Sequence, residues 1–129
     1  MKRWLIDTSA ALKLVIEEPE SAALAQSLDA FDGEVMSSWL LETEMRRAVH
    51  RNDGLEQSVV TQVLSKVSMY ELQASVVREA GLLPGRHLRS LDAIHIAVAV
   101  RMGVDAVLTY DQRMTESCEH LGLSVLAPK

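Results

Sequence analysis

Short apolar runs alternating with helix-length segments constrain this chain more than any other feature. Residues 3–6 (Arg-Trp-Leu-Ile) read as a short buried strand that ends at Asp7. Asp7-Thr8-Ser9 then reads as a helix start, because short oxygen-bearing side chains cap the free N–H groups of a helix from Ala10 to Ile16. Pro19 suits the first turn of a second helix running to about Phe31, with Leu24, Leu28 and Phe31 on one face. Asp32-Gly33 is a turn and Glu34 to Ser37 a second strand. Ser38 opens a helix to about Arg51, closed by Asn52-Asp53-Gly54, and residues 55–67 form another amphipathic helix. Met69 to Leu72 is a weak strand, followed by a helix over 74–81 and a loop from Gly81 to Arg89. Ser90 caps an apolar helix, Leu91 to Arg101; Ala106 to Thr109 is a strand, Asp111 to His120 a helix, and Leu123 to Leu126 a last strand. Such alternation specifies a parallel sheet covered on both faces, hence one α/β domain.

A chain of 129 residues and 14.3 kDa suits one domain. No apolar run approaches the roughly 18 residues of a membrane span, and Asp7 interrupts the apolar stretch a signal peptide would need. Cys118 is the only cysteine, which excludes an intrachain disulfide framework and a cysteine-built zinc site and makes a cytoplasmic setting the default expectation. The net charge of −5 argues at first against a nucleic-acid partner. The excess is local: residues 1–45 carry −6 and residues 46–129 carry +1. Four acids gathered around a cation would leave the remainder at −1, so the balance does not decide.

In parallel sheets ligands bind beyond the carboxyl ends of the strands, near the point where strand order reverses. Asp7 ends the first strand, and Asp111 lies just past the strand 106–109. Glu44 falls on the helix after the second strand, and Asp92 in the first turn of the helix from Leu91. Each has a local explanation: Asp7 and Asp111 as helix caps, Asp92 as a partner of the helix dipole, Glu44 as a solvated partner of Arg47. Asp7 stands apart, because a carboxylate held directly after Trp-Leu-Ile is costly unless a cation or hydrogen bonds compensate.

Four blocks carry a family resemblance. They are Leu-Ile-Asp7-Thr-Ser9-Ala-Ala-Leu-Lys-Leu followed by Glu-Glu-Pro-Glu-Ser; Ser38-Trp-Leu-Leu-Glu-Thr-Glu44-Met-Arg-Arg-Ala; Leu91-Asp92-Ala-Ile-His-Ile-Ala; and Val107-Leu-Thr-Tyr-Asp111. In order, spacing and length the chain resembles PIN-domain ribonucleases of the VapC toxin type. The resemblance implies one PIN-like nuclease domain over residues 1–129, a three-layer α/β/α fold with a central parallel sheet of about five short strands. It implies that Asp7, Glu44 and Asp92 carry a metal and that Asp111 joins them. Glu42 competes for the glutamate role, but the Arg-Arg-Ala that follows favours Glu44. Ser9 and Thr109 match polar positions that orient a carboxylate or water.

Carboxylate oxygens suit Mg²⁺ or Mn²⁺, and such ions assist in-line attack of water on a phosphodiester without a protein nucleophile. The implied reaction is RNA hydrolysis leaving a 5′-phosphate and a 3′-hydroxyl. Arg46, Arg47 and Arg51, with Arg86, His87 and Arg89, form a candidate rim for the RNA backbone, or else an ordinary solvated face. The resemblance also implies a cognate antitoxin, docked on helices 20–31 and 39–51, and a homodimer. His95, at i+3 from Asp92, reads as a packed core residue, and Cys118 as a packed or surface thiol. Rival classes fit less well. A phosphotransferring hydrolase needs a second aspartate where Ser9 stands, and a receiver-type, Mg²⁺-binding signalling module needs an acidic pair after the first strand and a lysine near Asp111. A catalytically silent PIN-fold binding module is the remaining alternative.

Overall fold

Leu5 and Ile6 are adjacent and both fully buried, which requires cover on both faces of their strand, since neighbouring side chains on a strand point to opposite sides. The computed structural model, which describes residues 1–129, supplies that cover. The strands are β1 (Arg3–Ile6), β2 (Glu34–Ser38), β3 (Ser68–Tyr70), β4 (Ala106–Leu108) and β5 (Val125–Leu126). The helices are α1 (Thr8–Leu12), α2 (Ser21–Ala30), α3 (Leu40–Arg51), α4 (Gln57–Leu64), α5 (Ala74–Gly81), α6 (Ser90–Met102) and α7 (Gln112–His120). The sheet order is β3-β2-β1-β4-β5, and every neighbouring pair is parallel.

The expected three layers are present. On one face Leu5, Met36 and Val107 pack with Val76 and Ala80 of α5, Ala93 and Ile96 of α6, and Met114 and Cys118 of α7. On the other, Ile6 and Leu108 meet Ala10 and Ala11 of α1, Leu24 of α2, Leu41 and Met45 of α3, and Val60 and Leu64 of α4. The β1–β4 register pairs Leu5 with Val107 and Ile6 with Leu108, so each face is apolar across the central strands. The thiol of Cys118 is buried in the first cluster and pushed up to about 11 by that burial, then by the charges of Asp7 and Glu119, which makes it a packing residue and no nucleophile.

Several boundaries differ from the sequence expectation. The first helix stops at Leu12 instead of Ile16, after which Lys13, Leu14 and Val15 close tighter i→i−3 turns. Lys13 explains the change: its ammonium reaches Glu18 at 3.5 Å and Glu20 at 3.3 Å and lies 4.8 Å above the Tyr110 ring. Pro19 falls before α2, because Ser21 Oγ accepts from Glu18 N and donates to the Ile16 carbonyl, closing the turn that precedes the helix. α4 is shorter than the amphipathic pattern suggested, and β3 starts one residue earlier and ends before Leu72, which turns into the core on the way to α5. Gly103, at φ +61°, ends α6 in the left-handed conformation that suits a residue without a Cβ.

The chain runs from β1 through β2 to β3 on one side and returns to β4 and β5 on the other. Strand order therefore reverses between β1 and β4, which opens a crevice beyond their carboxyl ends. No helix is long and apolar enough to cross a membrane.

Candidate active site

Asp7 follows the last residue of β1, and Thr109 follows the last residue of β4. The two strand ends are laced together there. Asp7 is 2% exposed and caps α1: Oδ1 accepts from Ala10 N at 2.9 Å and from Ser9 Oγ at 2.8 Å, while Oδ2 accepts from Thr109 Oγ1. Both hydroxyls also accept a backbone amide, Ser9 Oγ from Tyr110 N and Thr109 Oγ1 from Asp111 N. Ser9 and Thr109 thus spend their protons on Asp7 and fix it against the turn into α7. Burial raises the Asp7 carboxyl above the ordinary range, and these hydrogen bonds offset only part of the effect.

Asp7, Glu44, Asp92 and Asp111 all line one open hollow of about 350 Å³, with Thr8, Ser9, Arg89, Ser90 and Leu91. The four acids expected at the site thus border the same hollow. Glu44, on α3, holds Oε1 against Thr8 Oγ1 at 2.7 Å and His95 Nε2 at 2.6 Å. Burial raises its pKa, but the hydrogen bond and charge of His95, then Thr8 and Arg51, outweigh burial and leave it below the usual range. Asp92 is pushed up by burial first and then by the negative charge of Asp111, with Asp7 and Glu44 adding to it. Asp111 caps α7 through Oδ1, which accepts from Met114 N at 3.0 Å.

Counting lone pairs shows what each acid keeps for a ligand. Asp7 Oδ1 is saturated and Oδ2 has one lone pair left; Glu44 Oε2 and Asp111 Oδ2 accept nothing, and the Asp92 carboxylate accepts no protein hydrogen bond. Glu44 and Asp111 are therefore each held by one oxygen with the other unengaged, whereas Asp7 is held by both and keeps a single lone pair on Oδ2. No three acidic, histidine or cysteine side chains converge closely enough to enclose an ion among themselves. That arrangement suits a hard cation that keeps most of its water and takes one or two carboxylates directly, as Mg²⁺ does. The all-oxygen donor set and the mutual repulsion felt at Asp92 both favour such a cation.

The sequence matches the PIN domain family over residues 4–119. The chain belongs to the PIN-domain family. Among curated relatives, Ribonuclease VapC35 of Mycobacterium tuberculosis is 38% identical over 128 residues, and Ribonuclease VapC46 of the same organism 38% identical over 125 residues, each alignment covering 95% of both chains. The fold is shared with Mycobacterium tuberculosis VapC20, a sarcin-ricin loop cleaving toxin, at TM-score 0.73 and 18% identity over 88% of this chain and 94% of that one. It is shared also with VapBC2 from Rickettsia felis bound to a promoter DNA fragment, at TM-score 0.77 and 13% identity over 98% and 99%.

Not every residue expected at the site of this PIN domain lies there. Arg46 is tied to Glu42 at 3.0 Å, Gln57 Oε1 at 3.0 Å and Thr61 Oγ1 at 3.1 Å, so it staples α3 to α4 and is not free for a backbone phosphate. The same pair ties up Glu42, which lines no part of the hollow, whereas Glu44 does. Arg47 is exposed and lines no part of the hollow. Arg89 does line it, whereas Arg86 lines a separate hollow. Of the two helices expected to dock a partner, α2 borders an apolar hollow of about 370 Å³ shared with α4, and α3 does not. His95 is buried as expected, yet its Nε2 serves Glu44, and its Nδ1 has no partner. The i+3 spacing from Asp92 was the available signal. Thr8, between two named residues, gave none.

Proposed function

We propose that this PIN domain is a metal-dependent endoribonuclease, the toxin of a toxin–antitoxin pair, with Asp7, Glu44, Asp92 and Asp111 holding Mg²⁺ or Mn²⁺. The observation that carries the reading is Asp7, a 2% exposed carboxylate braced by the hydroxyls of Ser9 and Thr109, which keeps one lone pair on Oδ2 and lines a hollow shared with three other acids. Relatives at 38% identity that bear the name ribonuclease support the activity.

When bound, the ion supplies positive charge to the phosphodiester and acidifies the attacking water. The protein's part is positional. Ser9 and Thr109 orient Asp7; Thr8 and His95 orient Glu44; Asp111 is fixed by the start of α7. Arg89, with no carboxylate partner, offers a guanidinium at the rim where the RNA backbone would lie. An antitoxin partner accords with solved neighbours that are toxin–antitoxin complexes, among them one from Klebsiella pneumoniae at TM-score 0.74. Pairing with a second copy belongs to the same reading.

The direct test is incubation of the purified, partner-free chain with cellular RNA. Cleavage with Mg²⁺ or Mn²⁺, silenced by chelator and leaving 5′-phosphates, is expected; cleavage indifferent to chelator contradicts the metal assignment. The Glu44 bracing gives a finer prediction. His95→Leu should raise the Mn²⁺ concentration for half-maximal cleavage about 10- to 100-fold, as losses of residues that orient a metal ligand do, while His95→Gln, which keeps an N–H donor, recovers most of it. An unchanged Mn²⁺ requirement in His95→Leu would show that the ring only packs.

A further inference from the structure

Ion pairs engage few of the basic side chains of this acidic chain: Lys13, Arg46 and Arg101 among thirteen lysines and arginines. Two of the unpaired ones, Arg86 and Arg113, are exposed and stand around one hollow of about 220 Å³ together with His87 and His120. Glu116 is the one acid in its lining. Gly85, at φ +114°, forms part of the wall, and a Cβ there would meet Ser117 Oγ at 3.5 Å, so the loop before α6 lies against α7.

This hollow shares both its walls with the acidic one. Arg86 to Leu88 line the cationic side of the loop, and Arg89 to Asp92 line the acidic side. On α7, Asp111 caps the helix within the acidic hollow, and Arg113, two residues on, belongs to the cationic one. Arg113 occupies the first turn of a helix, where the dipole disfavours a cation, so helix stability does not account for it. A guanidinium pair flanked by imidazole N–H donors fits phosphate oxygens, and arginine binds them in two-point fashion.

We propose that this second hollow is a phosphate subsite that grips the backbone of single-stranded RNA beside the acidic centre, so that the strand runs across the junction of the loop at 82–89 with α7. The proposal rests on the ribonuclease reading and adds a site and a direction to it.

Each phosphate contact on a single strand contributes about 0.7 to the slope of log affinity against log salt. The test measures binding of a fluorescent single-stranded RNA by anisotropy between 50 and 200 mM salt, in the non-cutting Asp7→Asn background. Adding Arg86→Ala and Arg113→Ala should flatten the slope by about 1.4, so that the parent loses about sevenfold more affinity than the double variant across that range. Arg78→Ala, an exposed unpaired arginine on α5 outside both hollows, is the control and should leave the slope unchanged. A double variant with the parent's slope overturns the subsite, and if the unmutated chain still cuts RNA, the nuclease reading survives that result. Failure of the Asp7→Asn parent to bind the RNA also overturns the subsite, and the nuclease reading falls with it only if the unmutated chain does not cut RNA.

Discussion

Asp7→Asn is expected to fold at least as stably as the unmutated chain while cutting RNA about 10³-fold more slowly, the scale of loss when a buried electrostatic element of a site is removed. The stability half follows from linkage. Burial raises the Asp7 carboxyl in the folded chain, so the metal-free protein loses stability as pH climbs from the unfolded value of 3.8 through the folded one. Asp92 behaves alike, raised by burial and then by its acidic neighbours, whereas Glu44 is lowered and contributes stability that disappears as pH falls through its folded value. Asparagine removes the Asp7 penalty, keeps a carbonyl for Ala10 N and Ser9, and turns an N–H toward Thr109. The check is paired: thermal melts of both metal-free proteins between pH 4 and 8, and initial cleavage rates with Mn²⁺. A variant that melts well below the parent at neutral pH would mean that Asp7 serves as a structural cap and not as a ligand held at a cost.

Leu5→Ala is expected to cost about 2–5 kcal/mol, a large part of the roughly 5–15 kcal/mol that holds a domain together. Leu5 is fully buried on the central strand and belongs to the cluster that contains Ala93, Ile96 and Ala97 of α6. Neighbours fixed in a parallel sheet cannot close over the gap, and the helix that carries Asp92 and His95 rests on it. Urea unfolding should show an earlier midpoint with an unchanged slope. A loss under about 1 kcal/mol would mean that α6 collapses onto the sheet and that the core is softer than its burial implies.

The layered fold was legible because periodicity and burial agree: Leu5-Ile6 and Val107-Leu108 demand cover on two sides, and only helices can supply it. Boundaries were less legible wherever a side chain overrides local pattern, as Lys13 does past the end of α1 by pairing with Glu18 and Glu20, and Ser21 by closing the turn around Pro19. Three acids of the site could be placed at strand ends or helix starts, and the fourth, Glu44, on the helix after β2, because parallel topology puts those positions on one rim. The arginines could not. A charge run says nothing about which guanidinium a neighbour has claimed, and Gln57 and Thr61, which claim Arg46, lie 11 and 15 residues further along. His95 was hidden for a similar reason: burial and ligation by a carboxylate look the same in a helical pattern, and only the fold brings α3 and α6 together across the end of β1.

Calorimetric titration of Mn²⁺ into the partner-free chain and into Asp7→Asn tests the central claim most directly, because it reads the acidic hollow without requiring the right RNA. Saturable binding by the unmutated chain that disappears or weakens at least about tenfold in Asp7→Asn is the predicted result. Equal binding by both proteins, or none by either, would contradict a metal centre built on Asp7.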